Sequence, residues 1–304
     1  MSHAFADDAL AAFVAEAGAQ GGPTFRERGA ADVRAGAAAV VRPREPELFE
    51  VRDVDAGGVA ARLYRPSAGA SRVLVYLHGG MWSIGSLETH DRACRALARD
   101  AGVSVLAVDY RLAPEHPFPA AVEDAVAVFG WATRLDARPG IGGDSAGGHL
   151  AALASIVLRD GGGPLPSALV MAYPNTDLTF SRPSTREKAE GWGLTTDAVM
   201  WGAEQWVPDP ATRADPRVSP LFAGLAGLPP AVVVTAEHDP LRDEGEEFAA
   251  RLGEAGVPVV LRREEGMIHG FLTLHGVSPA VESATARFAA DVARVFGNSD
   301  TLAV

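Results

Sequence analysis

Apolar residues along this chain fall into two alternating patterns. Short continuous apolar runs recur at Val73–Leu77, Val103–Val108, around Ile141, and at Ala168–Ala172, Ala231–Thr235 and Val257–Leu261. Each is strand-length and bounded by turn-forming or charged residues, so each reads as a buried strand. Between most of them lie longer stretches that read as helices, among them Ala120–Leu135, Ala146–Arg159 and Leu241–Ala255, with a further amphipathic helix in "DRACRALARDAG". Continuous apolar strands separated by helices predict an α/β fold with a mostly parallel central sheet covered on both faces. Ahead of them, "ELFEVRDVDAGGVAARLYRP" alternates about the turn Ala56-Gly57-Gly58 and predicts an antiparallel pair. At the N-terminus, Leu10, Phe13, Val14 and Ala17 recur at helical spacing.

One long segment breaks the alternation. Residues 175–218 contain one predicted helix, Thr196 to Val207, and three of the chain's five tryptophans, Trp192, Trp201 and Trp206. A connection of this length inside a compact domain is usually functional. It follows a strand end, so it is expected over the carboxyl edge of the sheet, where ligands bind in folds of this kind. The expected organisation is therefore an N-terminal cap segment over 1–48, an α/β core over 49–174 and 219–304, and a cap insertion over 175–218.

Composition narrows the reading. With 304 residues, 47% of them hydrophobic, the chain builds a large core. A net charge of −12 and the lack of any basic run argue against a nucleic acid partner. No apolar run approaches the roughly 18 residues of a membrane span. The first residues lack a basic n-region, and Asp7, Asp8 and Glu16 interrupt their apolar patch, so they make a poor signal peptide. The one cysteine, Cys94, is expected to pack inside its helix and fits a reducing, cytoplasmic setting.

Candidate chemistry begins at "GIGGDSAGGHLAALASIVL", residues 140–158. A short strand runs into Gly-Asp-Ser-Ala-Gly and then a long helix, the context of a nucleophile elbow, with Gly143 and Gly147 permitting the turn that presents Ser145. A serine needs a base, and the base an orienting acid. Beyond the elbow helix the chain offers His238, His269 and His275. His269 follows a strand in "VVLRREEGMIHGF", and Asp239 ends the preceding strand in "VVVTAEHDPLRDEG". Both are expected beside the elbow, although Asp239 before Pro240 also reads as an ordinary helix cap. Attack by Ser145 on a carbonyl creates an oxyanion that preorganised N–H groups stabilise. The helix N-terminus offers Ala146, and "VLVYLHGGMWSIGS" offers Gly79 and Gly80 after an earlier strand, with His78 bracing that loop.

These segments resemble the hormone-sensitive-lipase family of α/β-hydrolases, the bacterial branch often called family IV esterases. The matching stretches are "HGG" at 78–80, "DYRLAPEHPFPAAVED" at 109–124, "GGDSAGGHLA" at 142–151, "DPLRDEG" at 239–245 and "HGF" at 269–271. The resemblance implies an α/β-hydrolase fold with a helical cap and carboxylic ester hydrolysis by Ser145, Asp239 and His269. It also implies a small-molecule ester substrate, no metal or organic cofactor, and a homodimer, since relatives often pair. Arg111 is expected to pair with a carboxylate such as Asp144. One departure stands out: many relatives read H-G-G-G, whereas here the fourth position is Met81.

Two alternatives accompany this reading. Aryl formamidases resemble the chain at "HGG-x-W", but the DYRLAPEHP and DPLRDEG stretches favour an esterase. A non-catalytic binding protein on the same scaffold would lack the triad histidine, and His269 is present. Met81, Trp82, Trp192, Trp201, Trp206 and Phe271 are expected to bound a short apolar substrate pocket.

Overall fold

In a computed structural model of the chain, residues 4–40 and 43–298 are described. Two helices, α1 (Asp8–Gln20) and α2 (Phe25–Ala39), precede an antiparallel pair, β1 (Glu50–Asp55) and β2 (Ala60–Arg65). The alternating part follows: β3 (Val73–Leu77), α3 (Asp91–Ala101), β4 (Ser104–Val108), α4 (Ala120–Ala132), β5 (Gly140–Asp144), α5 (Ala146–Asp160) and β6 (Leu169–Ala172). After an interruption carrying α6 (Ser184–Glu187) and α7 (Thr196–Trp206) come β7 (Ala231–His238), α8 (Arg242–Glu254), β8 (Val259–Ile268) and α9 (Pro279–Asn298). The strands form one eight-stranded sheet in the order β1-β2-β4-β3-β5-β6-β7-β8. Only the β1–β2 and β2–β4 pairings are antiparallel.

The continuous apolar strands are buried on both faces. Along β3, Val73, Val75 and Leu77 join the core formed with α4 and α5, while Leu74 and Tyr76 join the core formed with α3 and α9. The period-two alternation of side chains thus feeds two separate cores from one strand. Cys94 is buried in the second of these. In α1, Leu10 and Val14 are buried but Phe13 is 37% exposed, so the apolar stripe is narrower than its spacing predicts. β8 runs further than expected, to Ile268, past a register shift against β7 near Ala236 and His238.

Outside the α/β alternation, α2 lies against α7. Phe25 stacks on Trp201 at 5.7 Å, and the Arg26 guanidinium bridges Asp197 and Glu204. Among the described residues, no helix is long and apolar enough to cross a membrane.

Candidate active site

The elbow forms because two glycines let strand and helix approach where no side chain fits. A Cβ on Gly143 or Gly147 would overlap the Leu77 carbonyl oxygen of neighbouring β3. Between them Ser145 takes the left-handed value φ +52°, uncommon for a residue with a side chain. Its N–H donates to Ala172 O at 2.9 Å, pinning the turn to the end of β6.

Strands β7 and β8 bring the partners. His269 Nδ1 lies 2.7 Å from Asp239 Oδ2, and His269 Nε2 lies 2.9 Å from Ser145 Oγ. A carboxylate only accepts, so Nδ1 carries the proton and Nε2 is left to accept from the Ser145 hydroxyl. Asp239 is fully buried, and its Oδ1 accepts the Leu241 N–H at 2.8 Å. The helix itself begins only at Arg242, so Asp239 is not its cap residue. One oxygen holds the turn and the other faces the imidazole. His238 points elsewhere: it stacks on Trp192 at 3.8 Å, and Lys188 Nζ lies 3.0 Å from its Nδ1.

The loop after β3 requires a correction. The Gly79 N–H donates to Asp144 Oδ1 at 3.0 Å and is therefore committed, not free for an oxyanion. The N–H groups of Gly80, Met81 and Ala146 have no acceptor among the described residues. Asp144 also accepts the Tyr76 hydroxyl at 2.8 Å, and its Oδ2 lies 3.4 Å from His90 Nε2. Burial alone would push this carboxyl up, but His90, Tyr76 and the Gly79 N–H outweigh burial and hold it below its ordinary value. His78 stacks on Tyr110 at 4.3 Å, and its Nδ1 donates to Gly79 O at 2.8 Å. Burial lowers its pKa to about 3, so it braces the loop as a neutral ring. Arg111 pairs with Asp124 and Glu123, not with Asp144, because Asp144 is sealed under the loop while Arg111 lies near the surface.

A cavity of about 220 Å³ opens on Ser145, His269, Gly79, Gly80 and Met81, with Ala37, Ile84, Leu194 and Thr273 among its other walls. Of the bulky residues expected around it, only Met81 lines it. Trp82 and Trp206 are fully buried and stack on each other at 5.2 Å, with the Trp82 indole N–H donating to His149 Nδ1. Trp201 stacks on Phe25, Trp192 on His238, and Phe271 packs fully buried against Tyr173. The large rings pair with one another, as their apolar area favours. A larger apolar groove of about 820 Å³, bordered by Phe118, Val122, Leu153 and Phe222, contains none of these polar groups. Chemistry therefore selects the smaller cavity.

Tyr173 is a site neighbour that sequence reasoning missed. It follows β6 directly with φ +36°, its ring lies 4.7 Å from His269, and its hydroxyl accepts the Leu272 N–H at 3.3 Å. Its place just past a strand end beside the elbow was the available signal. Among the described residues no group of His, Cys, Asp and Glu has a metal-holding arrangement.

Comparison with known proteins places these features in context. A family model for the alpha/beta hydrolase fold matches residues 74–273. The carboxylic ester hydrolase LipN of Mycobacterium tuberculosis is 47% identical over 234 residues, which cover 72% of this chain and 62% of that protein. The carboxylesterase NlhH of the same organism is 41% identical over 80% of this chain and 81% of its own. Among solved structures, a hyperthermophilic esterase from Pyrobaculum calidifontis superposes with a TM-score of 0.88 at 37% identity, covering 95% of this chain and 98% of that one.

Proposed function

The chain belongs to the α/β-hydrolase family, and we propose that it is a serine carboxylesterase acting on short- to medium-chain acyl esters. The observation that carries this reading is the hydrogen-bonded run from Ser145 through His269 to Asp239, opening on a cavity lined by Gly80 and Met81, whose N–H groups, like that of Ala146 next to Ser145, have no acceptor among the described residues. In the proposed reaction Ser145 Oγ attacks the ester carbonyl carbon while His269 Nε2 takes its proton, and Asp239 steadies the resulting imidazolium. The carbonyl oxygen becomes an oxyanion held by the N–H groups of Gly80, Met81 and Ala146. Collapse breaks the bond to the alcohol oxygen, which leaves with the proton from His269. Water, deprotonated by the same histidine, then attacks the acyl-enzyme; the acid departs and Ser145 recovers its proton.

The described residues of the 1–48 segment, together with 175–218, form the cap in this reading, supported by the contact of α2 with α7; residues 1–3 and 41–42 of that expected segment lie outside the described residues. The same reading makes the protein cytoplasmic, on its single buried cysteine, and a homodimer, on the habit of the family it resembles. A gel-filtration mass of twice 31.6 kDa tests the latter. For the activity, purified protein and Ser145→Ala are compared on p-nitrophenyl butyrate and on an N-formyl arylamide. Triad knockouts of this kind lose about 10⁶ in kcat. Ester turnover surviving in Ser145→Ala, or formamide turnover exceeding ester turnover, overturns the proposal.

A further inference from the structure

Helix α7 meets the loop after β3 at a glycine. A Cβ built on Gly202 would overlap Met81 Cβ outright, and it would lie 2.8 Å from the Met81 carbonyl oxygen and 3.2 Å from Met81 Cα. One turn further along the same helix face, Trp206 stacks on Trp82 with the rings 12° from parallel. Two consecutive loop residues therefore seat on two consecutive turns of α7.

That loop needs external support. Met81 and Trp82 both hold left-handed backbone, φ +52° and +56°, which bulky residues adopt only when their surroundings impose it. Arg34 supplies part of the support: its Nε donates to Ser83 O at 2.7 Å and its Nη2 to Ala113 O, while the Ala113 N–H donates to Trp82 O. Helix α7 closes the remaining side. Position 81 is where many relatives carry glycine, and the Cβ that this chain adds there is accommodated by the side chain that residue 202 lacks.

We propose that Gly202 is a positioning residue for the oxyanion site: its missing side chain lets α7 press on the Met81 backbone and so hold the Met81 N–H beside those of Gly80 and Ala146. The proposal rests on the serine-esterase reading above and deepens it. It makes residues 81 and 202 a complementary pair, so a side chain added at 202 is tolerated only when Cβ is removed at 81.

The test measures kcat and KM on p-nitrophenyl acetate, whose short acyl group touches little of the wall, with melting temperatures alongside. Removing one oxyanion donor costs about 10²–10³ in kcat, so Gly202→Ala, which displaces a donor, is expected to lower kcat by about 10- to 100-fold with KM within about twofold. The double variant Met81→Gly/Gly202→Ala should recover at least about fivefold in kcat, because the Cβ overlap is gone while the contact with the carbonyl oxygen persists. Met81→Ala/Gly202→Ala, which keeps that Cβ, should recover nothing. Should Gly202→Ala not fold, the proposal requires the glycine double variant to be soluble and active and the alanine double variant not to be. Two results overturn it: Gly202→Ala with kcat within about twofold of wild type, or equal behaviour of the two double variants. Ser145→Ala run beside them keeps the failures apart, since ester turnover surviving there removes the esterase reading itself. Abolition in Ser145→Ala with an unchanged Gly202→Ala removes only the role of Gly202.

Discussion

Replacing Asp144 by alanine should weaken both the fold and the reaction, and the structure sets the scale. One buried oxygen, Asp144 Oδ1, accepts from the Tyr76 hydroxyl at 2.8 Å and from the Gly79 N–H at 3.0 Å. Alanine leaves both donors without that acceptor where Tyr76 and position 144 are buried. Each orphaned buried group costs about 1–3 kcal/mol, hence about 2–6 kcal/mol for the pair. At about 2.1 cal/mol/K per residue, a chain of 304 residues unfolds with an entropy of about 0.64 kcal/mol/K. The melting temperature should then fall by about 3–9 °C. Because the Gly79 N–H is the tether between the oxyanion loop and the elbow, kcat should fall as well. Asparagine preserves an acceptor oxygen and should lie between alanine and wild type. The folded pKa of Asp144 is depressed, so its charge stabilises the fold above the unfolded value near about 3.9 and ceases to do so as pH falls through the lower folded value. The gap between wild type and Asp144→Asn should accordingly hold from pH 8 down to about 4 and shrink below that. Circular dichroism melts and p-nitrophenyl butyrate kinetics read both effects. A melting temperature of Asp144→Ala within about 1 °C of wild type, or Asp144→Asn as unstable as Asp144→Ala, would refute the reasoning.

Asp239→Asn should lower kcat by about 10⁴ through loss of the charge and tautomer control on His269, while its oxygen can still accept the Leu241 N–H, leaving the melting temperature within about 2 °C; retained activity would reduce Asp239 to a turn-holding residue. Across p-nitrophenyl esters, kcat/KM should rise up to about fourfold per methylene, the equivalent of about 0.8 kcal/mol. It should decline beyond about eight acyl carbons as the cavity of about 220 Å³ fills; a maximum at palmitate contradicts this. Glu244 is fully buried, and burial raises its pKa well above the ordinary value despite the Thr176 and Asp177 N–H groups. With its folded pKa above the unfolded value near about 4.3, it removes stability as pH rises from that value towards the folded one. Glu244→Gln should therefore gain on wild type as pH rises above about 4.3, and a pH-independent difference in melting temperature counts against a raised Glu244 pKa.

The α/β alternation was legible because its strands are buried on both faces, which makes them short uninterrupted apolar runs. The expected runs at Val73–Leu77 and Ala168–Ala172 coincide with β3 and, within a residue, with β6. Helix α9 carries a readable signal too: Val281, Ala284, Phe288, Val292 and Phe296 recur at three- and four-residue spacing, and all are buried. Helix α2 carried much less. It is kinked at Gly29, only Ala30 and Val33 are buried, and its capping box of Thr24 and Glu27 was its clearest mark.

The candidate site divides along the same line. Ser145, Asp239 and His269 were readable because chain order and strand ends suffice to bring them together, and neither depends on how side chains pack. Which rings line a pocket does depend on it. Trp82, Trp201, Trp206 and Phe271 each found an aromatic partner, and the walls went instead to Ala37, Ile84 and Leu194, residues without any chemical signature. The oxyanion loop shows the limit most sharply. Gly79 and Gly80 are indistinguishable as letters, yet only Gly79 faces the carboxylate of Asp144, 65 residues along the chain. That bond occupies the Gly79 N–H and leaves those of Gly80 and Met81 without an acceptor among the described residues. A motif can therefore mark where the donors lie, while their identity follows from a buried acceptor that the motif does not contain.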